Sequence, residues 1–96
     1  MTDIRVAGEP VEALLEALLL FKWKEESNGM ARGSARLEPR LAQQFFRALM
    51  RVQAEFMLED ANRLGTEGFE DRTNEHRAAD ALIALALRIT NAAARR

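Results

Sequence analysis

Residues 37–64, LEPRLAQQFFRALMRVQAEFMLEDANRL, decide how this chain folds. Wound at 100° per residue, Leu41, Phe45, Ala48, Val52 and Phe56 form one apolar stripe. Phe46, Met50, Met57, Ala61 and Leu64 form a second, roughly opposite, with Leu49 between the two. A helix that is apolar on two faces needs a neighbour on each. Pro39 suits a first turn, where its missing N–H matters least, and Gly65 supplies a stop. The expected helix covers 38–64. At 1.5 Å per residue it is about 40 Å long.

Working outward, two shorter helices are expected. Gly8 breaks an extended lead-in, and Pro10 opens a helix over 10–26 with Val11, Leu14, Leu15, Leu18 and Phe21 at 3–4 spacing. Glu9 and Glu12 place carboxylates at the positive end of its dipole. Leu19, Leu20 and Trp23 widen its apolar face towards more than one neighbour, and Ser27-Asn28-Gly29 reads as its stop. Residues 30–38, with Gly33 and Ser34, read as a flexible connection. Downstream, a polar and acidic loop over 66–72 contains an isolated Phe69, and Thr73 or Asn74 caps a third helix over 74–93. That helix is apolar nearly all round from 78 to 89, so it should be the most buried.

The fold class expected is therefore all-α: a single helical domain, 1–96, in a three-helix up-down-up bundle with a long central helix, completed by dimerisation. A lone domain of this length buries only about 60–65% of its unfolded surface, and a second copy supplies more. Helix three covers one stripe of the central helix and helix one part of the other. The remainder points to a second chain.

Composition narrows the chemistry. Cysteine is absent, which removes disulfides, thiolate zinc sites and thiol nucleophiles. The opening residues lack the apolar core of a signal peptide, and the longest apolar runs, 18–21 and 81–87, are too short to span a bilayer. A cytoplasmic protein with no membrane partner is expected. The formal charge of -1 conceals alternating blocks. Residues 30–54 carry five cations and one anion, net +4, whereas residues 55–75 carry two cations and seven anions, net -5. Such blocks suit helices that pair with oppositely charged neighbours, in the same chain or across a dimer.

Two constellations carry candidate chemistry. Glu55 and Glu59 lie one turn apart on the central helix, and His76 and Asp80 one turn apart on the third. Carboxylates and an imidazole on facing helices are the ingredients of a bundle metal site. The segments Glu55-Phe-Met-Leu-Glu59-Asp60 and His76-Arg-Ala-Ala-Asp80 loosely resemble the all-α nucleoside triphosphate pyrophosphohydrolases of the MazG type. That resemblance implies magnesium held by acids on two successive helices and nucleotide hydrolysis. The family's pattern has Glu-x-x-Glu followed by Glu-x-x-Asp; here the glutamates are four apart and His76 stands at an acid's position. The plainer reading pairs Glu59 with Arg63 and Asp80 with Arg77 or Arg88.

The second constellation is Arg36, Arg40, Arg47 and Arg51, which with Gln43 and Gln44 form a cationic sector suited to phosphates or to an acidic partner. The near-neutral overall charge favours an acidic protein surface over nucleic acid. The function expected is thus a homodimeric protein–protein interaction module without catalytic activity or cofactor, contacting its partner through Leu20, Trp23, Phe46, Met50 and Met57. Its alternatives are a nucleic-acid-binding or regulatory protein using the arginine sector, and a magnesium-dependent hydrolase.

Overall fold

A computed structural model describes residues 4–63 and 74–95. In chain order these form β1 (Arg5–Val6), β2 (Glu9–Pro10), α1 (Val11–Leu19), β3 (Lys22–Glu25), β4 (Ala31–Ser34), α2 (Pro39–Arg63) and α3 (Asn74–Ala94). The expected end of the central helix at Leu64 and Gly65, the 66–72 loop with Phe69, and a Thr73 cap lie outside the described residues.

The all-α helical bundle is corrected to an α+β arrangement, three helices with two small antiparallel hairpins. In the lead-in, β1 and β2 pair with Arg5 opposite Pro10 and Val6 opposite Glu9. Ala7 and Gly8 join them with φ of 50° and 82°, the two left-handed residues of a type I′ turn. Alanine rarely adopts such a φ, and hydrogen bonds anchor the turn. The Arg51 guanidinium donates to the Ala7 carbonyl at 2.7 Å, and that of Arg5 to the Gly8 carbonyl at 3.1 Å. A Cβ on Gly8 would sit 2.5 Å from the Arg51 guanidinium, so only glycine lets that side chain approach.

The second correction concerns helix one, expected over 10–26 and in fact ending at Leu19. Lys22-Trp23-Lys24-Glu25 instead pairs with Ala31–Ser34, and what reads as a linker is half of a hairpin. Ser27-Asn28-Gly29 is its turn. The Gly29 amide donates to the Glu26 carbonyl at 2.9 Å, and Gly29 takes φ of 83°. The Asn28 side chain accepts the Met30 amide at 3.0 Å. A type I turn followed by a left-handed glycine is a standard three-residue hairpin connection. Opposite Trp23 stands Gly33, where a Cβ would lie 2.5 Å from the indole ring. The indole thus occupies the space a larger residue would need. Phe21 stacks on Trp23 at 5.7 Å between ring centroids and meets Phe45 at 5.3 Å, tying the hairpin to the helices.

α2 begins as expected: the Glu38 carboxylate accepts the Leu41 amide at 2.8 Å, satisfying a donor in the first turn. The core gathers Val11, Leu14 and Ala17 of α1, Leu41, Phe45, Ala48 and Val52 of α2, and Ala81, Leu85, Ile89 and Ala92 of α3. Ion pairs Asp60–Arg77 and Glu55–Arg88 advance along α3 while receding along α2, so these helices run antiparallel. Helix three is not apolar-buried all round. Ile83 and Leu87 are exposed, because α1 has only nine residues and cannot wrap α3. At 1.5 Å per residue α1 spans about 14 Å against about 31 Å for α3.

Candidate interaction site

The first stripe of α2 is the core stripe. Leu41, Phe45, Ala48 and Val52 are buried and Phe56 packs beside them. Both neighbouring helices use this side, since α1 and α3 contribute to the same core cluster. Helix one was expected to cover part of the second stripe, but it lies against the first. Among the described residues the second stripe is therefore bare. Phe46, Met50 and Met57 are 63%, 52% and 55% exposed, and Leu58 and Ala61 are exposed beside them. Gln43, Phe46, Arg47, Met50 and Arg51 line a shallow groove of about 550 Å³ on this face. Leu20 and Trp23 are also exposed, at the end of α1 and on β3.

The arginine sector divides in two. Arg36 and Arg40 are exposed before and within the first turn of α2. Arg47 and Arg51 instead close on Glu9, a carboxylate only 5% exposed. Arg47 donates through Nε at 3.3 Å and Nη2 at 3.0 Å, a two-pronged contact, while Arg51 Nη1 donates at 2.6 Å. This cluster ties β2 to the middle of α2. Arg47, set one turn before Arg51, is the main cause that holds the Glu9 carboxyl below its usual range; loss of water on burial opposes it, and Arg51 reinforces it. Glu9 in turn raises Arg47.

A pH dependence follows. The folded pKa of Glu9 lies below its ordinary value of 4.5. Its stabilising contribution is therefore complete above that pH and is lost as pH falls through the depressed folded value. Glu9→Gln is expected to remove about 1–2 kcal/mol at neutral pH. It should also flatten the acid limb of stability, read by urea unfolding from about pH 7 down to pH 3. An unchanged acid limb in Glu9→Gln would assign that limb to other carboxylates.

Two of the four candidate metal ligands are held by arginines. Glu55 accepts from Arg88 at 2.8 Å, and Glu59 pairs with Arg63 one turn on at 3.2 Å. His76 and Asp80 are exposed on α3. Among the described residues no group of three or more His, Asp or Glu side chains is placed to hold a metal ion. Asp60, next to Glu59, is buried and bound by Arg77 at 3.1 Å.

Sequence reasoning missed several of these residues. Ile83 and Leu87 were assigned to the core. Glu9 was read as a dipole carboxylate, although two arginines one turn apart are a signal for a shared anion. The cations Lys22, Lys24 and Arg32 were divided between a helix end and a linker, although Lys22-Trp23-Lys24 alternates with the strand period. No helix among the described residues is long and apolar enough to cross a membrane. Comparison with protein-family models, with curated proteins and with solved structures gives no match to this chain.

Proposed function

We propose that the chain is a small, non-catalytic protein–protein interaction module that pairs with a second copy of itself through the outer stripe of α2. The observation that carries this reading is the bare row of Phe46, Met50 and Met57, opposite a stripe already saturated by α1 and α3. Exposed apolar side chains aligned on one helix face mark association surfaces more often than scattered ones do. Methionines and an aromatic ring adapt well to such contacts.

Charge supports an antiparallel pairing of the two α2 helices. The arginine-bearing first half of α2, with Arg40, Arg47 and Arg51, then lies beside the second half of the other copy, with Glu55 and Glu59, in both directions across a two-fold axis. With the axis near residues 53 and 54, Met50 meets Met57 of the other copy, and Phe46 meets its Ala61. A large ring beside a small residue favours close packing. A cytoplasmic setting belongs to the same proposal, in keeping with the cysteine-free composition.

Sedimentation equilibrium tests it. A dimer is expected at micromolar concentration, and Met50→Glu/Met57→Glu should weaken it at least about a hundredfold by burying uncompensated carboxylates. The helical circular-dichroism signal should be retained, since both positions are exposed in the monomer. A wild-type chain that stays monomeric at about 100 μM, some hundredfold above a micromolar Kd, would sink self-association. The stripe would then be left to another protein.

A further inference from the structure

The β3–β4 hairpin carries a second surface, independent of the α2 stripe. Its register places Lys22 opposite Ser34 and Lys24 opposite Arg32. Directly opposed residues share a face, and alternate residues along a strand share it too. Lys22, Lys24, Arg32 and Ser34 therefore stand together on one face, and all four are exposed. Trp23, Gly33, Glu25 and Ala31 take the other. Stacking of Phe21 on Trp23, and of Phe21 against Phe45, identifies the indole's face as the one turned to the body. The cationic face is turned away from it.

A like-charged cross-strand pair costs stability when nothing neutralises it. Lys24 opposite Arg32 is such a pair. The carboxylate recorded near it, Glu26, lies 3.8 Å from Arg32, with both side chains largely in solvent. Arg36 and Arg40 follow Ser34 in the chain and are exposed. Unlike Arg47 and Arg51, which close on Glu9, these cations stand available to an external anion.

We propose that this face of the hairpin binds the phosphate backbone of a nucleic-acid duplex, with Lys22, Lys24 and Arg32 on phosphates and Ser34 as an additional hydroxyl donor. Shape agrees with charge. The hairpin's two strands lie about 5 Å apart, so the ribbon is narrow across. The major groove of B-DNA, about 12 Å wide, admits a two-stranded ribbon. An anionic lipid surface fits less well. The cationic face holds no apolar side chain to enter the bilayer, and Glu25 and Glu26 stand at the hairpin's tip.

The test uses the full chain with three fluorescent probes: a random-sequence DNA duplex, an RNA duplex and a DNA single strand, each about two helical turns in length. Binding should weaken with salt at a slope near -3 in log–log form, about -0.9 for each of the three phosphates engaged on B-DNA. Lys22→Ala/Lys24→Ala/Arg32→Ala should reduce affinity at least about tenfold and flatten that slope towards zero. Lys22→Arg/Lys24→Arg, which keeps the charges and the ribbon, should retain binding. Circular dichroism of the alanine variant separates lost contacts from lost folding.

Tighter binding to the DNA duplex than to the RNA duplex is expected, and a preference for the RNA duplex would overturn the seating in a B-form groove. Binding confined to the single strand would overturn the duplex assignment. So would an equal loss in Arg63→Ala/Arg95→Ala, which removes exposed cations elsewhere, because the attraction would then be diffuse. Absence of duplex binding at low salt, or binding to anionic vesicles alone, would overturn it as well. Self-association is scored separately by sedimentation, so failure of the α2 pairing does not decide this result.

Discussion

Leu85→Ala is expected to lower the unfolding free energy by about 3–5 kcal/mol. Leu85 is fully buried in the middle of α3, within the cluster built from Leu14, Phe45, Ala48 and Val52. The core cluster it belongs to includes three alanines, Ala17, Ala48 and Ala81, that are fully buried and too small to fill the vacated space. The cavity cannot collapse without moving a helix, and that places the cost in the upper part of the usual range. A domain of this size has about 5–14 kcal/mol of stability in all, so the loss is roughly a fifth of it or more. Urea unfolding reads it directly. Leu87→Ala is the control: two positions along the same helix but exposed, it should change stability by less than about 1 kcal/mol. Equal losses at the two positions would mean that α3 is covered on its outer side as thoroughly as on its inner one.

Asp60→Ala should be comparably damaging, by about 3–5 kcal/mol, for an electrostatic reason. The Asp60 and Arg77 side chains are 4% and 12% exposed and meet at 3.1 Å, where the end of α2 faces the start of α3. Removing the carboxylate takes away the charge that meets this guanidinium at 3.1 Å, at a site that has lost most of its water. By the usual conversion for a domain of this size, the melting temperature should fall by roughly 15–30 °C. Replacing the whole pair, as Asp60→Leu/Arg77→Met, should recover most of the loss, because no buried charge is then stranded. A double variant as unstable as Asp60→Ala would show that the ion pair has a geometric role that apolar packing cannot substitute.

The elements legible in the chain were those whose period is long and local. α2 declares itself through 25 residues of helical repeat with Pro39 at the start, and the stripe Leu41–Phe45–Ala48–Val52 is the one that is buried. What failed was the end of α1. Phe21 continues the 3–4 spacing of Leu14 and Leu18 without a break, so the helical pattern runs straight into β3. Ser27-Asn28-Gly29 does not discriminate either, since a helix end and a three-residue hairpin both want a glycine at positive φ. The evidence for the hairpin lies in pairs such as Trp23 with Gly33, where a ring needs an absent side chain ten residues away. Glu9 is a similar case. Its partners lie 38 and 42 residues downstream, beyond anything a local pattern records. At the candidate site, the two methionines and Phe46 were legible as a stripe. That it is only partly covered was legible too; that α1 leaves it altogether was not, because that depended on which side of α2 the shortened α1 would choose.

The β3–β4 ribbon has a further consequence. Each strand pairs with the other and with no third strand among the described residues, so each keeps one outer edge of backbone donors and acceptors. Such edges are templates for cross-β growth between molecules. Lysines and arginines along a short edge are the usual gatekeepers, because a second ribbon must bring its own like charges alongside. Lys22, Lys24 and Arg32 are therefore expected to oppose edge-to-edge pairing of ribbons, and counter-ions that neutralise them to weaken that opposition.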